Sequence, residues 1–203
     1  MMKNAWDKKR VEDYLITYGP PDDPKPRSKN RFIYASKKVV GNSVLDLGCG
    51  PGYLYPFLHN HTYKGIDSSL EMIETAQRYF PLGSFEVGDV YDLSGEEIYD
   101  TVISMSLLIH IEHKDLNHVI EELWNHSRKA LVFTIPIGKD FSKIVGPRKT
   151  VSTHVSHKTL DNILKNFKPK TIEKIPFPKG CFGYGLNDHL VKTLKVKNNV
   201  AGE

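Results

Sequence analysis

Short apolar runs alternate with amphipathic segments along most of the chain. The runs have the length and composition of buried strands and occupy residues 43–47, 62–66, 84–87, 99–105 and 130–137. Shorter strand patterns occur nearer the end of the chain, at residues 171–175 and 189–196. Regular alternation of strands and helices predicts an α/β fold, with helices on both faces of an open sheet.

The amphipathic segments repeat their apolar residues with the period of a helix. Predicted helices occupy residues 4–18, 29–41 and 69–80, and further helices begin near Asp115 and after Ser156. Ser28 is the predicted N-cap of the helix at 29–41, and Ser68 with Glu71 matches a capping box for the helix at 69–80.

A glycine-rich bend follows the strand at residues 43–47. Residues 48–52 read Gly-Cys-Gly-Pro-Gly, and we expect residues 53–58 to begin a helix. Glycine adopts backbone angles that other residues avoid and leaves no side chain in the way of a ligand. Pro51 suits the first turn of a helix. A strand, a bare bend and a helix predict a nucleotide-like cofactor at the carboxyl end of the strand.

The spacing of the glycines argues against two common phosphate-binding loops. Gly48 and Gly50 fit a G-x-G-x-x-G dinucleotide motif, but its third glycine position holds Tyr53, and no Gly-Lys-Ser/Thr ending is present. Asp46 precedes Gly48 by two residues, and its charge would repel a pyrophosphate and attract a cationic ligand. S-adenosylmethionine (SAM), with its ammonium and sulfonium groups, is such a ligand.

The run D-L-G-C-G-P-G at residues 46–52 resembles the first motif of class I SAM-dependent methyltransferases, a D-x-G-x-G-x-G pattern. The resemblance extends from about residue 39 to residue 196. It implies a Rossmann-like, open twisted sheet of about seven strands, mostly parallel with an antiparallel last strand. It also implies that the cofactor is bordered by Asp46, Gly48, Gly50 and Gly52. A glycine-rich turn that binds no ligand is the alternative.

Asp67 ends the second strand, 21 residues beyond Asp46. An acidic residue about 20 positions further on, at the tip of that strand, is placed to accept hydrogen bonds from both hydroxyls of a ribose. Its alternative role is that of a turn or cap residue. We include Ser68 in the predicted cofactor site. In the family, a residue soon after this aspartate packs on the adenine, and Met72 is the candidate here.

The sequence Gly-Asp-Val at residues 88–90 follows the third strand and resembles a further signature of the family. The resemblance implies that the Asp89 side chain takes the adenine amino group and that the Val90 backbone N–H reaches a ring nitrogen. Taken alone, Gly-Asp is an ordinary turn pair.

His110 ends a D-x-V-x-x-x-x-x-L-x-H pattern that begins at residue 100 and also resembles the family. The resemblance implies that the backbone at Ser104 and Met105 borders the methionine end of SAM and that His110 lies near the mouth of the site. His110 is the candidate general base, because the pKa of histidine lies near neutral pH. A histidine at a helix start with no chemical role is the alternative. His110 and His113 form an H-x-x-H pair, but nothing near them completes a metal site, so no metal is predicted.

We expect residues 1–203 to form a single methyltransferase domain. The resemblance implies that residues 1–41 form a helical lid over cofactor and acceptor, although their aromatic residues could simply pack on the core. Residues 42–137 form the cofactor-binding core. Residues 138–155 are polar and irregular in pattern, and long loops in compact domains are usually functional, so we interpret them as an acceptor loop. Residues 156–197 complete the sheet.

Composition adds a few constraints. The net charge of +4 is too small to indicate nucleic acid or a membrane surface. No apolar run approaches the ~18 residues of a membrane span. Cys49 and Cys181 give no disulfide framework, and the first ten residues lack the apolar run of a signal peptide. We therefore expect a cytoplasmic protein.

Together these observations predict an enzyme that transfers the methyl group of SAM to a small-molecule acceptor and releases S-adenosylhomocysteine (SAH). Two alternatives remain open. One is an RNA or protein methyltransferase, in which the basic residues at 139–149 grip the macromolecule. The other is a non-catalytic SAM-binding module that works through a partner.

Overall fold

The computed structural model describes residues 6–91, 93, 97–145, 150–177 and 188–195. Its helices are α1 (Lys8–Tyr18), α2 (Pro26–Ser36), α3 (Leu70–Tyr79), α4 (Leu116–Asn125) and α5 (His157–Lys165). Its strands are β1 (Ser43–Leu47), β2 (Thr62–Asp67), β3 (Ser84–Val87), β4 (Tyr99–Ser104), β5 (Ser127–Pro136), β6 (Phe141–Val145), β7 (Thr150–His154), β8 (Thr171–Pro176) and β9 (Asp188–Leu194).

Seven of the described strands form one sheet in the order β3-β2-β1-β4-β5-β9-β8. The first five pair in parallel, and β9 runs antiparallel to both of its neighbours. The chain builds outward from β1 through β2 and β3, then returns to the other side of β1 with β4 and β5. Open α/β sheets bind ligands beside such a reversal, at the carboxyl ends of the strands. The predicted Rossmann-like sheet with an antiparallel last strand is confirmed.

The sheet buries a core on each face, because successive side chains of a strand point to opposite sides. Leu45 and Leu47 of β1 pack with residues of α4 and α5, among them Leu116, Leu123, Leu160 and Leu164. Val44 packs in the opposite core with residues of α2 and α3, among them Phe32, Ala35, Ile73 and Ala76. The expectation of helices on both faces is therefore also confirmed.

Two predicted helix starts are displaced. α2 begins earlier than expected, with Pro26 at its first position, so that Ser28 is buried inside the helix and does not cap it. Ser69, and not Ser68, is the N-cap of α3. The Ser69 hydroxyl accepts a hydrogen bond from the Met72 N–H and donates one to Glu71. In both cases neighbouring residues offer competing signals for a helix start. Proline at the first position determines the start of α2, and the adjacent serine, Ser69, caps α3.

The helix predicted at residues 53–58 is wrong. The chain turns there and forms only a short 3₁₀ helix, Tyr55–Phe57. Pro56 lies within this turn and has no N–H with which to continue an α-helical ladder. A second 3₁₀ turn, Leu108–His110, follows β4.

The expectation of an irregular loop at residues 138–155 is also wrong, because these residues contain the antiparallel pair β6 and β7. The Gly138 N–H donates to the Val155 carbonyl and attaches the base of this hairpin to the end of β5. Most hairpin side chains are exposed or half-buried, so the sequence lacks the apolar alternation that marks a strand. Arg148 and Lys149, two of the predicted basic residues, lie outside the described residues.

Among the described helices, none has the apolar length needed to cross a bilayer.

Candidate functional site

The glycine bend leaves β1 and lies against the end of β2. The N–H groups of Gly48 and Cys49 both donate to the Ile66 carbonyl, at 2.8 and 3.1 Å. The Gly50 N–H donates to Oδ2 of Asp67 at 2.9 Å. The bend is therefore tied by its backbone to the last residues of the neighbouring strand.

Gly50 and Gly52 both have positive φ angles, of 54° and 85°, but they meet different surroundings. A Cβ at Gly52 would lie 3.1 Å from both Phe80 and Phe85, within the packed core. A Cβ at Gly50 would meet only Sδ of Met72, at 4.0 Å. Gly52 thus allows the bend to pack, whereas Gly50 faces open space above the sheet.

Asp67 is fixed at the tip of β2 by backbone donors. Its Oδ2 accepts from Gly50 and its Oδ1 accepts from Ser69, each at 2.9 Å. Burial raises the pKa of this carboxyl, while the N–H groups of Ser69, Gly50 and Ser68 act in the opposite direction. Each carboxylate oxygen has more than one lone pair, so both retain acceptor capacity for a ligand.

A cavity of about 1520 Å³ opens at the carboxyl ends of the parallel strands. Nine of the twelve predicted site residues line it: Gly48, Gly50, Asp67, Ser68, Met72, Asp89, Val90, Met105 and His110. The Asp89 side chain accepts a hydrogen bond from the Tyr91 N–H, and Val90 is almost fully buried. Residues separated by more than sixty positions in the sequence therefore meet in one space.

Asp46, Gly52 and Ser104 do not line this cavity. Asp46 is buried below the bend, where Oδ2 accepts from the Tyr63 hydroxyl at 2.8 Å. Among the described residues, nothing donates a hydrogen bond to its Oδ1. Burial is the main cause that raises the pKa of Asp46 to about 7. The buried Ser104 hydroxyl donates to the Leu47 carbonyl at 2.9 Å and joins β4 to β1.

His110 lies in the 3₁₀ turn after β4, and its ring is open to the cavity. Nδ1 lies 3.2 Å from the Val151 carbonyl of β7, and the Trp6 ring makes an edge contact at 6.1 Å between centroids. The surrounding protein lowers the pKa of His110, chiefly by desolvation, with the charge of Arg10 acting in the same direction and the Val151 bond against it. These contacts favour the neutral imidazole.

His113 contacts a different part of the molecule from His110. Its Nε2 lies 3.8 Å from Oδ1 of Asp140, beside the start of α5. Within the described part of the chain, no group of three or more histidine, cysteine, aspartate or glutamate side chains is arranged to hold a metal ion.

Several cavity residues were not predicted from the sequence. Arg31 of α2 donates to two hydroxyls, that of Ser106, which follows β4, and that of Thr134, which lies in β5. Thr150 and Val151 of the hairpin form another part of the wall. Arg31 and Ser106 are 75 positions apart, and no local pattern announces such a contact. For the part of the cavity wall that α1 forms, the signal in the sequence was the aromatic content of the N-terminal segment.

Comparison with known proteins agrees with this architecture. Residues 44–130 match a family model described as a methyltransferase domain. The magnesium-protoporphyrin O-methyltransferase of Rhodobacter capsulatus is 31% identical over 141 residues, which are 64% of this chain and 62% of the relative. The chain therefore spans less than two thirds of that relative's length.

Solved structures share the fold at low sequence identity. A SAM-dependent methyltransferase from Clostridium acetobutylicum has a TM-score of 0.69 and 14% identity, with 93% of this chain and 99% of that chain covered. The magnesium protoporphyrin IX methyltransferase from Synechocystis PCC 6803, solved with bound SAH, has a TM-score of 0.63 and 18% identity, with 94% and 89% covered. Residues 44–130 are thus similar to a methyltransferase domain, and the chain as a whole shares the fold of SAM-dependent methyltransferases.

Proposed function

We propose that the protein transfers the methyl group of SAM to a small-molecule acceptor and releases SAH. The observation that carries this proposal is the position of the Asp67 carboxylate. It ends β2 at the cavity, where the Gly50 and Ser69 N–H groups hold it in place. A carboxylate fixed in this way accepts hydrogen bonds from two adjacent ribose hydroxyls.

The other residues follow from this anchor point. Asp67 and Ser68 bind the ribose, and the adenine lies among Met72, Asp89 and Val90. Gly48, Gly50 and Met105 border the methionine end. All eight line the same cavity, which supports the assignment. Asp46, Gly52 and Ser104 contribute from outside the cavity, where Asp46 binds the Tyr63 hydroxyl below the bend and Gly52 and Ser104 hold the bend and β4 in position.

The size of the cavity supports a second, small molecule beside the cofactor. Typical small-molecule sites occupy ~300–1,000 Å³, and the 1520 Å³ here exceeds that range. We propose that α1 and α2, within residues 1–41, act as the lid and that the hairpin within residues 138–155 contacts the acceptor. A hydrogen bond from the Ser69 hydroxyl to the Trp6 carbonyl ties the start of this lid to α3. The magnesium-protoporphyrin methyltransferases among the relatives also act on a small molecule.

The chemistry is an in-line displacement at the methyl carbon. A lone pair of the acceptor forms the new bond as the carbon–sulfur bond breaks, and the electron pair of that bond stays on sulfur to give SAH. The sulfonium is a good leaving group, so the main contribution of the protein is positioning and exclusion of water.

His110 is the proposed base if the acceptor loses a proton. Nδ1 can bind the Val151 carbonyl only as an N–H donor, and this tautomer leaves the lone pair on Nε2. The direction of its pKa shift supports the same role, because a base must be unprotonated at working pH. His110→Ala should then slow transfer without weakening SAH binding.

An RNA or protein acceptor is less well supported. Of the basic residues at 139–149, the structure describes Lys139 and Lys143, and neither lines the cavity, whereas the uncharged Thr150 and Val151 of the hairpin do. Such an acceptor would make activity fall steeply with salt concentration. A non-catalytic binding module would bind SAM and transfer nothing.

We also place the protein in the cytoplasm, since the Cys49 thiol is free and buried.

Incubation of metabolite extracts with isotopically labelled SAM tests the proposal. We expect one small molecule to gain the label with the native protein, and its yield to be insensitive to moderate salt. His110→Ala serves as a comparison that keeps the cofactor site intact. Label found only in RNA or protein, or in no product despite bound SAM, would replace the proposal with one of the two alternatives.

A further inference from the structure

A guanidinium group lies at the end of the cavity away from Asp67. Arg31 projects from α2 into the cavity wall. Its Nη2 donates to the Ser106 hydroxyl and, at 3.3 Å, to the Thr134 hydroxyl. The side chain thus spans from the N-terminal helices to the ends of β4 and β5.

The two hydroxyls are themselves held in place. The Ser106 N–H donates to Oγ1 of Thr134 at 2.7 Å, and Thr134 is almost completely buried in β5. Ser106 has a φ of 67°, a left-handed conformation that is strained for a residue with a side chain. Strain of this kind persists where the surrounding structure fixes it, and it is concentrated at ligand sites. Ser106 and Thr134 therefore form a fixed support for the guanidinium.

The strand pairing sets the distance between Arg31 and the proposed ribose site. Leu47 pairs with Ile66, Asp46 with Ile103, and Ser104 with Phe133, so Asp67 and Thr134 lie at a similar height in their strands. Three strand spacings separate β2 from β5, or about 14 Å. Arg31 lies on the β5 side of this span, since it contacts Thr134.

Charged residues of both signs line the cavity. Asp67 and Asp89 lie at its β2–β3 end and Glu112 and Asp115 follow β4, whereas α2 and its N-cap contribute the cations Lys25, Arg27 and Arg31. Two hydroxyls orient Nη2 of Arg31. A guanidinium offers donors in a planar fork that matches a carboxylate.

We propose that Arg31, oriented by Ser106 and Thr134, is a specificity-determining residue that binds a carboxylate at this end of the cavity. The inference rests on the proposed function, because the cofactor bound at Asp67 defines which end this is. The carboxylate comes from the amino-acid end of the cofactor or from an acidic acceptor. Both sources require the same chemistry of Arg31.

Calorimetry with two probes distinguishes the sources. One probe is SAH, and the other is its decarboxylated analogue, which keeps the amine and lacks only the carboxylate. The variants are Arg31→Met, which removes the fork and the charge, and Arg31→Lys, which keeps the charge alone. Lys29→Met is the matched control, since it removes an exposed cation of the same helix that pairs with Asp23 and does not line the cavity. Thermal unfolding checks that each variant is folded.

If the cofactor supplies the carboxylate, Arg31→Met weakens SAH binding by roughly 10- to 100-fold. The decarboxylated analogue binds native protein and variant alike, Arg31→Lys recovers part of the loss, and Lys29→Met has little effect. If an acceptor supplies it, SAH binding is unchanged. Benzoate, titrated into the SAH-saturated protein, then binds the native protein and not Arg31→Met.

Two results would overturn the inference. The first is an equal loss for SAH and its decarboxylated analogue in Arg31→Met, which would make Arg31 a general support of the fold. The second is that Arg31→Met binds both SAH and benzoate as the native protein does. Failure of the native protein to bind either nucleoside contradicts the proposed function itself, and the inference falls with it.

Discussion

Gly50 and Gly52 lie two residues apart with similar backbone angles, yet one faces the cavity and the other faces Phe80 and Phe85. Alanine at a left-handed position costs about 1–2 kcal/mol in either case. At Gly52 the added Cβ also overpacks the core, for a total loss of about 2–5 kcal/mol in the free energy of unfolding. At Gly50 the methyl group projects into open space instead.

The two alanine variants should therefore separate stability from binding. We expect Gly52→Ala to lower the free energy of unfolding more than Gly50→Ala, and Gly50→Ala to weaken SAH binding more than Gly52→Ala. Urea unfolding measures the first quantity and calorimetry on the folded variants measures the second. The same loss of affinity in both variants would contradict the placement of Gly50 on the cavity wall.

Asp46 makes stability depend on pH, because burial raises the pKa of its carboxyl to about 7. The folded state therefore holds a proton that the unfolded state releases near pH ~4. The free energy of unfolding should fall as pH rises from about 4 to about 7 and then level off, by at most about 4 kcal/mol. Asp46→Asn keeps an acceptor for the Tyr63 hydroxyl and removes the titration.

Chemical unfolding of the native protein and Asp46→Asn across this pH range measures the effect. The difference between their unfolding free energies should change between pH ~4 and ~7 and stay constant above. Parallel profiles would show that Asp46 keeps an ordinary pKa despite its burial.

At the scale of elements, the β6–β7 hairpin controls the surroundings of His110. The Val151 carbonyl binds the ring, and the buried Thr153 hydroxyl donates to the Ile111 carbonyl in the segment that follows the 3₁₀ turn. Burial by these elements lowers the pKa of His110 below its usual value of ~6.5. Proposed base activity would accordingly decline as pH falls through this lowered pKa.

Thr153→Val removes the hydroxyl and keeps the shape of the side chain, so it loosens the hairpin from the turn. We expect the pKa of His110, followed by NMR, to move back toward its ordinary value in this variant. Thr153→Ser retains the donor and should leave the pKa of His110 where it is in the native protein. If Thr153→Val also leaves it unchanged, the hairpin does not enclose His110 as described.

The elements show why sequence patterns succeed in some places and fail in others. β1, β4 and β5 are buried along most of their length, and their apolar runs identified them. β2 and β3 bury only some of their residues, and their shorter patterns were also recognised. β6 and β7 stand largely outside the core and depend on pairing with each other, which leaves no apolar alternation. Ser68 and Ser69 offer equivalent caps, and only the tertiary path of the chain decides between them.

At the scale of the whole molecule, the sheet order gathers the site from distant segments. Motifs close together in the sequence, such as the glycine bend after β1 and Asp67 at the end of β2, could be predicted because their spacing is local. The support of Arg31 could not, because it joins α2 to the ends of β4 and β5 across 75 and 103 positions. Asp46 is the opposite case, because its motif was recognised in the sequence but its side chain does not line the cavity. The alternation of side chains along β1 places its carboxyl in a buried position, where it accepts a hydrogen bond from the Tyr63 hydroxyl.

Asp67 should hold the ribose of SAM or SAH in the cavity, and calorimetric titration of SAH measures this interaction. Glu86→Ala is the control, because it removes an exposed carboxylate of β3 that forms an ion pair with Lys64 outside the cavity. We expect the native protein and Glu86→Ala to bind SAH alike. Folded Asp67→Ala should bind it about 30- to 150-fold more weakly, a loss of roughly 2–3 kcal/mol. Unchanged affinity in Asp67→Ala would remove Asp67 from the cofactor site, and no binding by the native protein would remove the site itself.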